Sequence, residues 1–235
     1  MQFCAPSKLH SLIKASNIDP SPLTLEEANR ISTGHWMPLF SIPYYLSFGP
    51  HNPGDNQPYI QSSLELKKKW ERLLKKQKKF TIGINWEGNR PDKDKSGRNI
   101  PVEYFNQIAD IRQVQLLSVQ RGAPETPTWV DNQLLDIQKK IDQIVNSDEA
   151  DDFLEYAAII DNCDLIISCA TTTAHLAAGM GKPTWVLLEK VPDWRWGLQG
   201  DSTFWYPTMR LFRQEVNGGW HETIEKLRNR LLEHL

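Results

Sequence analysis

The chain has 235 residues, of which 40% are hydrophobic, and its 27 basic side chains against 29 acidic ones leave a net charge of −2. That length allows one ordinary core, or one plus part of a second, but not two full domains, and the near-balance of charge excludes a general polyanion-binding field and with it a nucleic-acid or membrane-surface role. No apolar run reaches the roughly 20 residues needed to cross a bilayer, the start MQFCAPSKLHSLIKAS lacks a signal peptide's apolar core, and Cys4, Cys163 and Cys169 form no CxxC pair, so a reducing, cytoplasmic setting is expected.

Taken in chain order, residues 1–79 do not read as an independent domain. A helical stretch near Lys8–Ala15 is followed by proline-rich sequence without sustained period around Met37–Leu46 and Pro50–Pro58. Ser62–Lys79 then reads as an amphipathic, lysine-rich helix with Leu64, Leu66, Trp70, Leu73 and Leu74 on its apolar side. From Phe80 the pattern changes to short apolar runs alternating with helical periodicity, the mark of βα units and a parallel sheet. Strands are predicted at Phe80–Trp86, Val114–Ser118, Leu165–Ser168, Thr184–Leu188 and about Thr208–Phe212. Helices are predicted at Pro101–Ile111, with proline in the first turn, at about Asp151–Asn162, from the threonines at 171–173 to Gly179 or Gly181, and at Trp220–His234.

The segment from Asp164 to Pro183 carries the most chemistry. A buried strand runs into Thr171-Thr-Thr173, which opens a helix whose free amides and dipole favour an anion such as a diphosphate. Ala174, Ala177 and Ala178 are small enough to let that helix approach the sheet. The threonines could equally serve as helix caps and nothing more. His175, in the first turn, could face the ligand or form a hydrogen-bonded part of the core.

Two further strand ends open on the same edge. Gly88 and Asn89 follow the first strand, and the polar run after them brings Lys95 and Arg98 as counter-charges for phosphate. Ser118 and Gln120 close the second and could reach a base or ribose. Trp185, Trp194, Trp196, Trp205 and Trp220 are either a stacking wall or core. Glu87, Asp92 and Asp94 read as solvated loop carboxylates, and no acid–base group for catalysis is evident among them.

Together Gly83-Ile-Asn-Trp-Glu-Gly-Asn89, Arg98-Asn-Ile100, Ser118-Val-Gln120, the Thr171–His175 turn, Gly181-Lys-Pro183, Pro192-Asp-Trp-Arg-Trp196 and Trp205–Gln214 resemble the C-terminal domain of heptosyltransferase-like glycosyltransferases, in the version fused to tetratricopeptide repeats in bacteria. The resemblance covers about residues 80–235. It implies a Rossmann-like parallel sheet with helices on both faces, the C-terminal half of a GT-B fold, preceded by a remnant of the N-terminal domain plus linker over 1–79. It also implies a nucleotide-diphosphate sugar as donor, held by Gly88, Asn89, Arg98, Ser118, Gln120, Thr171, Thr172 and His175, with neither metal nor cofactor. The acceptor is unknown, and a separate N-terminal domain or a second copy of the chain are the partners such a half would call for. The family's turn often reads Asp-Thr-x-x-x-His, and Ala170 stands here in place of the aspartate. A non-catalytic scaffold of the same fold and a nucleotide-sugar epimerase are the competing readings.

Overall fold

The computed structural model describes residues 2–49, 51–74, 78–88, 98–122, 126–147, 152–216 and 219–235. Its centre is a parallel sheet of five strands, β1 (Phe80–Asn85), β2 (Val114–Ser118), β3 (Leu165–Cys169), β4 (Thr184–Leu188) and β5 (Met209–Arg213), in the order β2-β1-β3-β4-β5. Their registers are continuous: Ile84 lies opposite Ser118 on one side and Ile167 on the other, and Ser168 lies opposite Val186. The predicted strands are all present, with β1 ending one residue earlier and β3 and β5 running one residue further than expected.

Helices cover both faces, as the apolar strands require. Besides α1 (His10–Ala15), α2 (Leu25–Asn29), α3 (Ile42–Tyr45) and α4 (Leu64–Leu74), the chain forms α5 (Asn106–Ala109), α6 (Leu135–Asn146), α7 (Asp152–Asp161), α8 (Thr172–Gly179) and α9 (Trp220–His234). β4 shows how the two faces are divided. Val186 and Leu188 meet Ala174 and Ala178 of α8 on one side, while Trp185, with Phe212 and His234 of α9, lies on the other. Trp70 and Leu74 of α4 and Leu12 of α1 enter the same core as the strands, through the packing of both helices on α7.

Three differences from the sequence reading have physical causes. The helix predicted over Ser62–Lys79 is described over Leu64–Leu74, and it does not reach Lys78, which takes a left-handed φ of 50° before β1. The stretch from Pro101 is a 3-10 turn over Val102–Phe105 that only then becomes α5. α6 was not anticipated, because its buried face includes Gln138 beside Ile141 and Val145. That glutamine completes the end of β2, accepting from the Ser118 amide at 2.9 Å and donating to the Ser118 carbonyl at 2.8 Å. It is a buried polar group with its partners supplied.

In this strand order the chain leaves β1 toward β2 and later returns to the far side of β1 as β3. The carboxyl ends of β1 and β3 therefore flank a topological switch point, where open α/β sheets have a crevice.

Candidate functional site

A cavity of about 330 Å³ opens at that crevice, lined by Asn85, Glu87, Gln120, Arg121 and Thr171–Thr173 on its polar side and by Leu9, Ile144, Val145 and Phe153 on its apolar side, with Lys8, Ser147 and Tyr156 completing it. Its volume is that of an ordinary small-ligand site. All three strand ends expected to converge do so here.

The polar floor is a closed network. The Gln120 side-chain oxygen accepts from Asn85 Nδ2 at 3.0 Å and from the amides of Trp86 and Glu87 at 3.0 and 2.9 Å. Its Nε2 donates to the carbonyls of Glu87 and Arg121 at 3.1 and 2.7 Å. Both amide protons are thus used within the protein, and Gln120 ties the end of β2 to the end of β1. Asn85 Oδ1 in turn accepts from Thr171 Oγ1 at 2.8 Å and Ser168 Oγ at 3.1 Å, which ties β1 to β3.

This network decides what the threonines do. Thr171 is the extended N-cap residue of α8, with φ −125° and ψ 176°, yet its side chain makes no capping bond to the helix. The hydroxyl that would ordinarily satisfy the first amides is turned to Asn85 instead. Thr173 is buried, with its hydroxyl 2.8 Å from Tyr156 Oη, and Tyr156 also donates to the Val119 carbonyl at 2.9 Å. Burial raises the Tyr156 phenol well above its ordinary range. Thr172 is exposed to the cavity. The first turn of α8, where the helix dipole is positive, therefore meets the cavity without a side-chain cap.

The remaining predicted residues fall in different places. Gly88 and Arg98 lie together: a Cβ on Gly88 would come within 2.5 Å of the guanidinium, so any larger residue would displace the arginine head; neither lines the cavity. The Gly88 amide donates to Asn99 Oδ1 at 3.2 Å. Ser118 is fully buried below the cavity and accepts from the Gln120 amide at 3.4 Å. Asn89, Asp92, Asp94 and Lys95 lie outside the described residues.

His175 does not line the cavity; it belongs to a separate cluster under the crossover from β4 to β5. Its ring stacks on Trp196 at 5.2 Å and 22°, and Nδ1 is 3.0 Å from Tyr206 Oη. Arg195 approaches Nε2 at 3.5 Å. A guanidinium can only donate, so Nε2 accepts and Nδ1 carries the proton toward Tyr206. Burial, and then the Arg195 charge, lower His175 from its ordinary 6.5 to about 4 against the opposing pull of Asp193, so the ring is neutral. Of the five tryptophans, Trp185, Trp196 and Trp220 are core, Trp205 is half-buried and Trp194 is 68% exposed. Burial also pushes the Cys163 and Cys169 thiols up to about 12, which leaves both unreactive.

Sequence reasoning missed Asn85, Arg121, Tyr156 and the apolar wall. Asn85 had a signal, a polar residue closing a buried strand. Tyr156 and Ile144 had none, since only the packing of α6 and α7 brings them to the switch point.

No family model matches the chain, and no curated protein matches it. Among solved structures, it is similar to the glycosyl transferase family 9 protein of Veillonella parvula DSM 2008, with 13% identity over 82% of this chain and 55% of that one and a TM-score of 0.47. It is also similar to the ADP-heptose lps heptosyltransferase II of E. coli, with 16% identity over 75% of this chain, 53% of that one and a TM-score of 0.46. The chain spans about half the length of each.

Proposed function

We propose that the chain is the donor-binding half of a glycosyltransferase, holding a nucleotide-diphosphate sugar in the cavity at the switch point, with the sugar passing to an acceptor that a further domain or partner presents. The observation that carries this is the uncapped first turn of α8, opening into a cavity with one polar and one apolar side. The diphosphate lies at the amides of Thr172 and Thr173, and the base lies against Leu9, Ile144, Val145 and Phe153. In transfer the bond between the sugar's anomeric carbon and the diphosphate oxygen breaks as the acceptor oxygen bonds that carbon. Charge then grows on the leaving diphosphate, where fixed helix amides and the Arg121 guanidinium that lines the cavity stabilise it without a metal. The assignment of transfer, as distinct from binding, follows the motifs at Gly83–Asn89, Pro192–Trp196 and Trp205–Gln214.

Calorimetric titration with UDP, ADP, GDP and their sugars tests the reading, and Thr172→Pro is the variant to pair with it. Thr172 is the first residue of α8, where proline is tolerated, and the extended Thr171 before it already has the conformation that a following proline requires. The substitution removes one amide donor and spares the helix. Loss of a charge-assisted hydrogen bond predicts binding weaker by about 10-fold or more. No affinity of the wild-type chain for any nucleotide would leave the scaffold reading in place.

A further inference from the structure

Resting on the nucleotide reading above, we infer that the amino-terminal segment completes the binding site, with Lys8 as the cation that pairs with the ligand's phosphates. Lys8 lies in a 3-10 turn, Ser7–Leu9, that leads directly into α1, and both it and Leu9 line the cavity.

The segment is fixed in place. Asp19 accepts from the amides of Phe3 and Ser21 at 2.6 and 2.8 Å, and a parallel bridge joins Cys4 to Leu23. Ser16 Oγ accepts from the Gln61 amide at 3.0 Å, while Leu12 is buried in the main core. A side chain presented from such a frame loses less freedom on binding than one on a loose tail.

Lys8 Nζ lies 5.8 Å from the centre of the Phe153 ring, and among the described residues it forms no ion pair with a carboxylate. Phe153 packs edge-on against Tyr156, whose hydroxyl meets Thr173 in the first turn of α8. These contacts trace the cavity wall from the ammonium to the helix amides, the path along which an extended phosphorylated ligand would lie. Charge points the same way. Among the described residues, the ionisable side chains lining the cavity, apart from the neutral Tyr156, are Lys8, Arg121 and Glu87, and Arg121 already donates to the Ser147 carbonyl at 3.1 Å. Among these described side chains Lys8 tips the balance to net positive; without it, the arginine and glutamate cancel.

The test is titration of the full chain with inorganic pyrophosphate, ADP and UDP, comparing wild type with Lys8→Met, Lys8→Arg and Thr172→Pro. Lys8→Met is expected to weaken binding about 10-fold and to flatten its salt dependence, Lys8→Arg to stay within about 3-fold of wild type, and both to melt as wild type does. Unchanged binding by Lys8→Met, alongside weaker binding by Thr172→Pro, overturns the role of Lys8 and leaves the nucleotide reading standing. Absence of wild-type binding overturns both. Equal loss in the methionine and arginine variants, with a lowered melting temperature, overturns the charge assignment in favour of a packing role.

Discussion

Thr172 and His175 lie three residues apart on α8, a spacing that places two side chains on one face of a helix, and yet one faces an open cavity and the other is half-buried in a separate aromatic cluster. The difference comes from outside the helix. The crossover after β4 lays Trp196 flat against the histidine and brings Arg195 and Tyr206 to its two nitrogens. At the cavity, by contrast, the polar side chains bind one another and leave backbone amides toward the space. The first turn of α8 thus shows free amides to the cavity and, on the same turn, holds a neutral histidine against aromatic rings.

The largest test of that contrast is Gln120→Leu. Three donors, Asn85 Nδ2 and the amides of Trp86 and Glu87, lose their common acceptor in a site that is nearly dry. Each unsatisfied group costs about 1–3 kcal/mol, so a loss of roughly 3–5 kcal/mol is expected in urea denaturation. A loss below about 1 kcal/mol would mean that water enters and replaces the amide, and the floor would not be the closed network described.

Next in size is the pH dependence of the half-buried histidine. His175 titrates near 4 in the folded chain and near 6.5 unfolded. Between those values only the unfolded state takes up the proton. The histidine's contribution is therefore complete above about pH 6.5, falls as pH drops toward 4, and declines no further below that, by about 2–3 kcal/mol in all. Denaturation of wild type and His175→Gln across pH 4–7.5 should show a slope in the first that is reduced in the second. Parallel curves would show that the ring is solvated, like the cavity side of the helix.

The comparison also separates what was legible in the sequence from what was not. The first four strands were readable because each is a short run buried on both faces, β5 less so because its burial alternates, and α8 because threonines open it and Gly181, with φ 75°, follows. Convergence of Gly88, Gln120 and Thr171 on one edge followed from strand polarity alone. The division of labour among them did not, since Gln120 could be assigned to ligand or framework only once its hydrogen bonds were visible. His175 had two open orientations for the same reason: the group that covers it is some twenty residues later in the chain. Lys8 and Phe153 were out of reach because the Ser7–Leu9 turn and α7 meet only through tertiary packing.

The smallest expected effect is at the edge of the histidine cluster. Trp194 and Trp196 belong to one 3-10 turn, and one is 68% exposed while the other is 3% exposed. The turn is held independently of Trp194: Asp193 caps it through the Arg195 amide at 3.1 Å, Trp205 Nε1 donates to the Arg195 carbonyl at 3.1 Å, and Arg213 donates to the carbonyls of Trp196, Gly197, Gln199 and Gly200. Trp194→Ala should therefore cost no more than about 0.5 kcal/mol and leave the His175 titration where it is. A cost above about 2 kcal/mol, or a His175 value moved back toward 6.5, would mean that the exposed tryptophan's edge-on contact with Trp205 keeps water from the histidine. The seal would then extend to the surface of the crossover and not stop at Trp196.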